Sequence, residues 1–137
     1  MIQSAITISL VPEARGGPFV FWDDLAAGFA KAKALGFDAV EIFPTSARDL
    51  PLSQVQDLMT RHGLKVAAVG TGAGWVKHKL HLTHPDADVR ARAGEVNQGS
   101  SNLAGVGSAT AILGSMQGRR GAGVARAQGL GWLAGAV

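Results

Sequence analysis

The sequence predicts an α/β protein built on a parallel sheet, and three observations carry that prediction. Short runs rich in β-branched residues alternate with longer runs of helical periodicity, strand then helix, four times over. Glycine and proline stand where those helices should stop and start. A hydrophobic content of 47% in 137 residues is enough for one buried core, so a single domain over 1–137 is expected.

The first strand is AITISLV (5–11), where apolar and polar residues alternate as on a half-buried strand. FWDDLAAGFAKAKALG (21–36) follows as a helix, with Trp22, Leu25, Ala26, Phe29 and Ala30 at helical spacing. Its acidic residues fall in the first turn, its lysines later, and Gly36 suits the position after the last turn. FDAVEIF (37–43) is the second strand, ended by Pro44. PLSQVQDLMTRHG (51–63) is a second helix: Pro51 suits its first turn, Leu52, Val55, Leu58 and Met59 share a face, and Gly63 closes it. LKVAAVG (64–70) is the third strand. A third helix starts in HPDADVRARAGEV (84–96), with Pro85 near its first position and Asp86 and Asp88 at its positive end. ATAILG (109–114) is the fourth strand and GVARAQGLGWLAGAV (123–137) the last helix. Such βα repetition builds a parallel sheet through crossover connections.

The C-terminal third is poorly specified. Of 19 glycines, 11 lie from Gly94 onward, and no Asp or Glu follows Glu95. Each glycine inside a helix costs about 1 kcal/mol against alanine. The run NQGSSN (97–102) offers no apolar turn to a core, so the third helix is expected to be frayed or broken there.

Composition excludes several function classes. There is no cysteine, hence no disulfide framework, thiolate metal site or thiol nucleophile. The opening MIQSAITISLV lacks a basic n-region and a small-residue cleavage site, and reads as a buried strand rather than a signal peptide. No apolar run reaches the roughly 20 residues of a membrane helix. A soluble, cytoplasmic protein with no membrane partner is expected. The net charge of +3 comes from scattered basic residues, so no nucleic-acid partner is expected either.

ALGFDAVEIF after the first strand and helix, then HGLKVAAVG, LHLTHPDADVRARA and a fourth strand ending ILGSMQGR, together resemble the sugar phosphate isomerase/epimerase family. These are xylose-isomerase-like TIM barrels, and they include hydroxypyruvate isomerases, tagatose-type epimerases and inosose dehydratases. The second-strand GFDAVEI and the third-strand GLKVAA are the specific pieces, and the match is strongest up to Ala93. The resemblance implies a (β/α)4 half of a TIM-barrel-like fold, since a complete barrel needs eight units and about 250 residues. It implies a metal-assisted proton transfer beside a sugar carbonyl, interconverting aldose and ketose or two epimers. In the family a divalent metal (Mn, Mg or Co) is held by acidic and histidine ligands from the fifth strand onward. The two catalytic glutamates come from that same half. This chain has no counterpart of either, so no metal site and no cofactor of its own are expected. The partners implied are a small sugar or sugar phosphate, and either a second copy or a missing C-terminal half. The other readings are a non-catalytic half-barrel module for assembly or sugar binding, and an apurinic-site endonuclease of the same superfamily, whose further ligands are not visible.

Four residues are candidate site residues. Alternation along FDAVEIF puts Val40 and Ile42 on one face and Ala39, Glu41 and Phe43 on the other. With Val40 and Ile42 packed on helices, Glu41 points into the barrel near the carboxyl end of its strand, where such active sites lie. It is either a carboxylate serving the substrate or a structural one paired with a Lys or Arg. In GTGAGWVKHKL (70–80) three glycines permit close backbone approach and Trp75 offers a wall for a sugar ring, in a loop that does not open directly into a helix. His78, His81 and His84 are evenly spaced, yet His78 and His81 diverge in an extended segment, and Pro85 disfavours helix just before it. With no carboxylate between them they make no zinc set; His84 serves the helix start and His78 is at most a substrate contact. In GSMQGRRG (114–121), Arg119 or Arg120 would hold a phosphate or carboxylate, against a plainly solvated loop. No serine sits on a nucleophile elbow.

Overall fold

The computed structural model describes residues 2–119 and 123–136. Five strands form one sheet: β1 (Ala5–Ser9), β2 (Phe21–Trp22), β3 (Ala39–Phe43), β4 (Lys65–Gly70) and β5 (Thr110–Ile112). All are parallel to their neighbours, in the order β2-β1-β3-β4-β5. The helices are α1 (Leu25–Ala34), α2 (Leu52–His62), α3 (Ala73–His78), α4 (Ala87–Val106) and α5 (Arg126–Ala134). Two 3-10 turns, Pro12–Ala14 and Gly114–Gln117, follow β1 and β5. This is the parallel α/β half-barrel that the sequence predicts, with four principal strands and one short addition.

The core lies on one face of the sheet. Ile8, Val40, Ile42, Val66 and Val69 pack there against Leu25 and Phe29 of α1, Val55 and Leu58 of α2, and Leu103 and Ala104 of α4. Val66 and Val69 share that face despite lying three apart, because the pairing of β3 with β4 slips by one residue between Val40 and Glu41. At Gly28 of α1 an added Cβ would sit 2.7–2.8 Å from Ile8 side-chain atoms, so the missing side chain lets the helix lie directly on β1. Among the described residues the opposite face carries no helical layer. Thr7, Glu41 and Ala68 are half-buried there, while Ala5, Ala67 and Thr110 are exposed and Ile112 is 41% exposed.

Several expectations need correction. Phe21 and Trp22 are not helical: they pair with Ile8 and Ser9 as β2, and α1 begins only at Leu25. Asp24 is the cap, its carboxylate accepting from the Ala27 N–H at 2.9 Å, so the acidic pair precedes the first turn. Pro51 likewise precedes α2, and Leu52 is 44% exposed rather than on its buried face. Gly36, at φ +82°, does follow the last turn of α1, and Gly63 ends α2 at φ +59°.

The largest correction is α4, which runs unbroken through NQGSSN for 20 residues. Gly99 and Ser100 are buried in it, and a Cβ on Gly99 would approach the Arg48 side chain at 3.2 Å. Small residues there let the helix press against the segment after β3, and the next turn carries Leu103 and Ala104 into the core. The Gln98 side-chain amide also donates a hydrogen bond to the Asn102 amide oxygen at 3.0 Å, one turn on. Tertiary packing outweighs the weak local propensity.

Candidate functional site

The carboxyl ends of the strands form a rim closed by short-range bonds. The Leu10 N–H donates to the Phe43 carbonyl at 2.8 Å, and the Thr45 hydroxyl donates to the Leu10 carbonyl. Thr71, buried just after β4, donates its N–H to the Ile112 carbonyl at 3.1 Å, and its hydroxyl lies 2.7 Å from the Leu113 carbonyl oxygen. Phe43, Val11 and Ala73 make an apolar cluster beside Phe19 at this end. Thr71 is the rim residue that the sequence reading missed; a lone threonine between glycines carries no signal of that role.

Glu41 stands on the helix-free face, as alternation predicts, directly across from Thr7 of β1. A Cβ on Gly70 would lie 3.8 Å from a Glu41 carboxylate oxygen and 3.1 Å from the Phe43 ring, so the bare glycine makes room for both side chains. Burial pushes the Glu41 carboxyl above its ordinary value, partly offset by the nearby Thr7 hydroxyl. None of the ion pairs among the described residues engages Glu41. Its companion is a neutral hydroxyl, not a Lys or Arg.

The loop after β4 also differs from expectation. It opens directly into α3 at Ala73, with Gly72 before it, and a Cβ on Gly74 would meet the Met116 sulfur at 2.5 Å. Trp75 and His78 are therefore helical residues. Trp75 is half-buried, with the Lys79 ammonium 5.3 Å and the Arg119 guanidinium 5.1 Å from its ring centroid. His78 lies apart from that stack. It lines a small polar pocket with Thr45, Ser46, Arg48 and Glu95, where Arg48 and Glu95 are 3.6 Å apart.

The histidines sort differently from their spacing. His81 and His84 meet edge to face, ring centroids 5.0 Å apart, and Trp75 lies 5.7 Å from His81. His84 Nδ1 accepts from the Asp86 N–H at 3.0 Å, the helix-start role expected of it. His81 Nδ1 lies 3.2 Å from the Thr83 hydroxyl oxygen; burial, and then the charge of His84, push the His81 pKa down. Among the described residues no three His, Asp or Glu side chains are gathered as a metal would require. Glu41 stands apart from the histidines, and His81 and His84 each turn Nδ1 to a local partner, so these side chains do not fit the metal of the family the sequence resembles.

The four candidates thus occupy three settings. Glu41 is on the inner sheet face, His78 in the polar pocket, and Trp75 stacks with Arg119 at the outer rim. Arg120 lies outside the described residues.

No family model matches the sequence, and no curated protein matches it. Two solved structures of D-allulose 3-epimerase from Methylomonas sp. resemble the fold. One, in complex with D-allulose, superposes with a TM-score of 0.64 at 14% identity. The other, with additional C-terminal residues, does so at 0.61 and 17%. Each match covers 98% of this chain but only 44% and 46% of the epimerase chain. The chain spans less than half the length of the structures it matches. At such identity the likeness shows the fold: half of a TIM-barrel epimerase architecture.

Proposed function

We propose that this chain is the sugar-binding front half of an isomerase/epimerase-type barrel, and that it needs a complementary half for turnover. The observation that carries this reading is Glu41, a carboxylate on the inner face of a half-barrel, set beside a bare glycine and across from Thr7, and engaged by none of the ion pairs among the described residues. Such a group offers a sugar hydroxyl a charge-assisted acceptor. Trp75, Arg119 and His78 are the outer contacts in this reading. The likeness to an epimerase crystallised with D-allulose supports the substrate class.

Isomerisation also requires an electrostatic stabiliser for the enediolate that forms beside the carbonyl. Among the described residues nothing near Glu41 supplies one: its neighbours are Thr7, Gly70 and Phe43. Loss of such an element costs several kcal/mol of barrier, which is orders of magnitude in rate. The isolated chain should therefore bind ketoses weakly without converting them.

The test is a panel of ketoses, aldoses and hydroxypyruvate with manganese, magnesium or cobalt, followed by NMR for product and for solvent deuterium uptake. Line broadening of a ketose without exchange, reduced in Glu41→Gln, is the expected result. Metal-dependent exchange well above background and lost in Glu41→Gln would show a complete site and overturn the half-site reading.

A further inference from the structure

A cleft between the segment after β5 and the first turns of α5 is unlike the inner sheet face. It encloses about 270 Å³, at the small end for a ligand site. Val124, Leu130 and Leu133 wall it, and Arg119 and Arg126 line it with Thr83. Leu130 is 54% exposed, so a ligand body seated there would cover apolar surface now in water. The charge is one-sided. Arg119 and Lys79 share the Trp75 ring, and none of the ion pairs among the described residues engages Lys79, Arg119 or Arg126. Ala125 provides no side-chain cap to α5, whose positive end lies at the same cleft.

We propose that this cleft is a second ligand site, for a small carboxylate with an apolar body, about the size of benzoate or hexanoate. The walls rule against a sugar, whose ring hydroxyls would face Val124, Leu130 and Leu133 without partners. Arg119 and Arg126 both line the cleft and would supply the donors for a carboxylate, and the Trp75 ring lies 5.1 Å from the Arg119 guanidinium. The site does not rest on the sugar reading, whose carrying residue is Glu41 on the inner sheet face, although Arg119 and Trp75 figure in both.

Amide and indole NMR titration of the whole chain with benzoate and hexanoate tests it, beside benzyl alcohol, hexanol and fructose. The expected result is saturable one-to-one binding of the carboxylates, with a Kd of about 1 mM or tighter. The shifts should centre on the Trp75 indole and α5, and the neutral alcohols should bind at least tenfold more weakly. Arg126→Gln should weaken the carboxylates severalfold and leave any fructose response at Glu41 unchanged, and Arg119→Gln with Arg126→Gln should weaken them at least tenfold. If that double variant loses amide dispersion, Arg126→Gln alone and titration at high salt take its place, each expected to weaken binding severalfold. Equal binding of acids and alcohols, no saturable shift with either acid, or binding indifferent to Arg126→Gln would overturn the proposal.

Discussion

Glu41 shows how one side chain ties the site to the stability of the sheet. Burial disfavours its charged form, so its folded-state pKa lies above the value it has in the unfolded chain. Between those two values the folded protein holds more protons than the unfolded one. Stability therefore falls as pH rises through that window, and the penalty is complete above the folded pKa. Glu41→Gln should then raise the thermal midpoint at pH 7, and the gain should vanish below the ordinary carboxylate range; an unchanged or lowered midpoint at pH 7 would contradict it. His81 has the opposite sign. Its pKa is lowered, so folding disfavours its protonation and stability is lost as pH falls below the ordinary imidazole value. Replacing His84 by Gln removes one of the two causes, and the His81 ring should titrate at higher pH by NMR. Alternation alone revealed where Glu41 points. It could not reveal that the partner is Thr7, because that depends on the pairing of β1 with β3.

At the scale of elements, the strands and the ends of α1 and α2 were legible, because Gly36 and Gly63 take left-handed conformations where the helices stop. The middle of α4 was not. Its helical hold comes from Leu103 and Ala104, buried in the same core cluster as Val66 and Leu58, which a local reading of NQGSSN does not contain. Gly94 and Gly105 stand in the same helix with nothing within 4 Å of an added Cβ. Gly94→Ala and Gly105→Ala should each stabilise the protein by about 0.4–1 kcal/mol, chiefly by reducing the freedom of the unfolded chain. Chemical denaturation would measure the effect, and a loss in both would mean that α4 is not helical there. The strand β2 was misread because Phe21 and Trp22 fit the α1 periodicity equally well. What decides is the free edge of β1, which accepts them as partners. The Trp75–Arg119 stack was invisible for a similar reason, since it joins segments more than forty residues apart.

The whole molecule is one sheet with α1, α2 and α4 on a single face, and its other face and its β5 edge remain uncovered among the described residues. Unpaired edges and exposed inner side chains favour association. Two copies would supply eight principal strands, so we expect a dimer or larger assembly by light scattering at tens of micromolar. A single monomeric species with cooperative unfolding at that concentration would count against it. The short β2 strand bears on how such an assembly forms. Phe21 and Trp22 already occupy the β1 edge at Ile8 and Ser9, and the Asp23 N–H extends that hold with a 3.0 Å bond to the Ser9 carbonyl. A strand that pairs with β1, as closing an eight-stranded barrel from two copies requires, must wait for this native strap to lift. Assembly should then have a unimolecular gate: its observed rate would climb with protein concentration at first and afterwards reach a plateau set by strap opening.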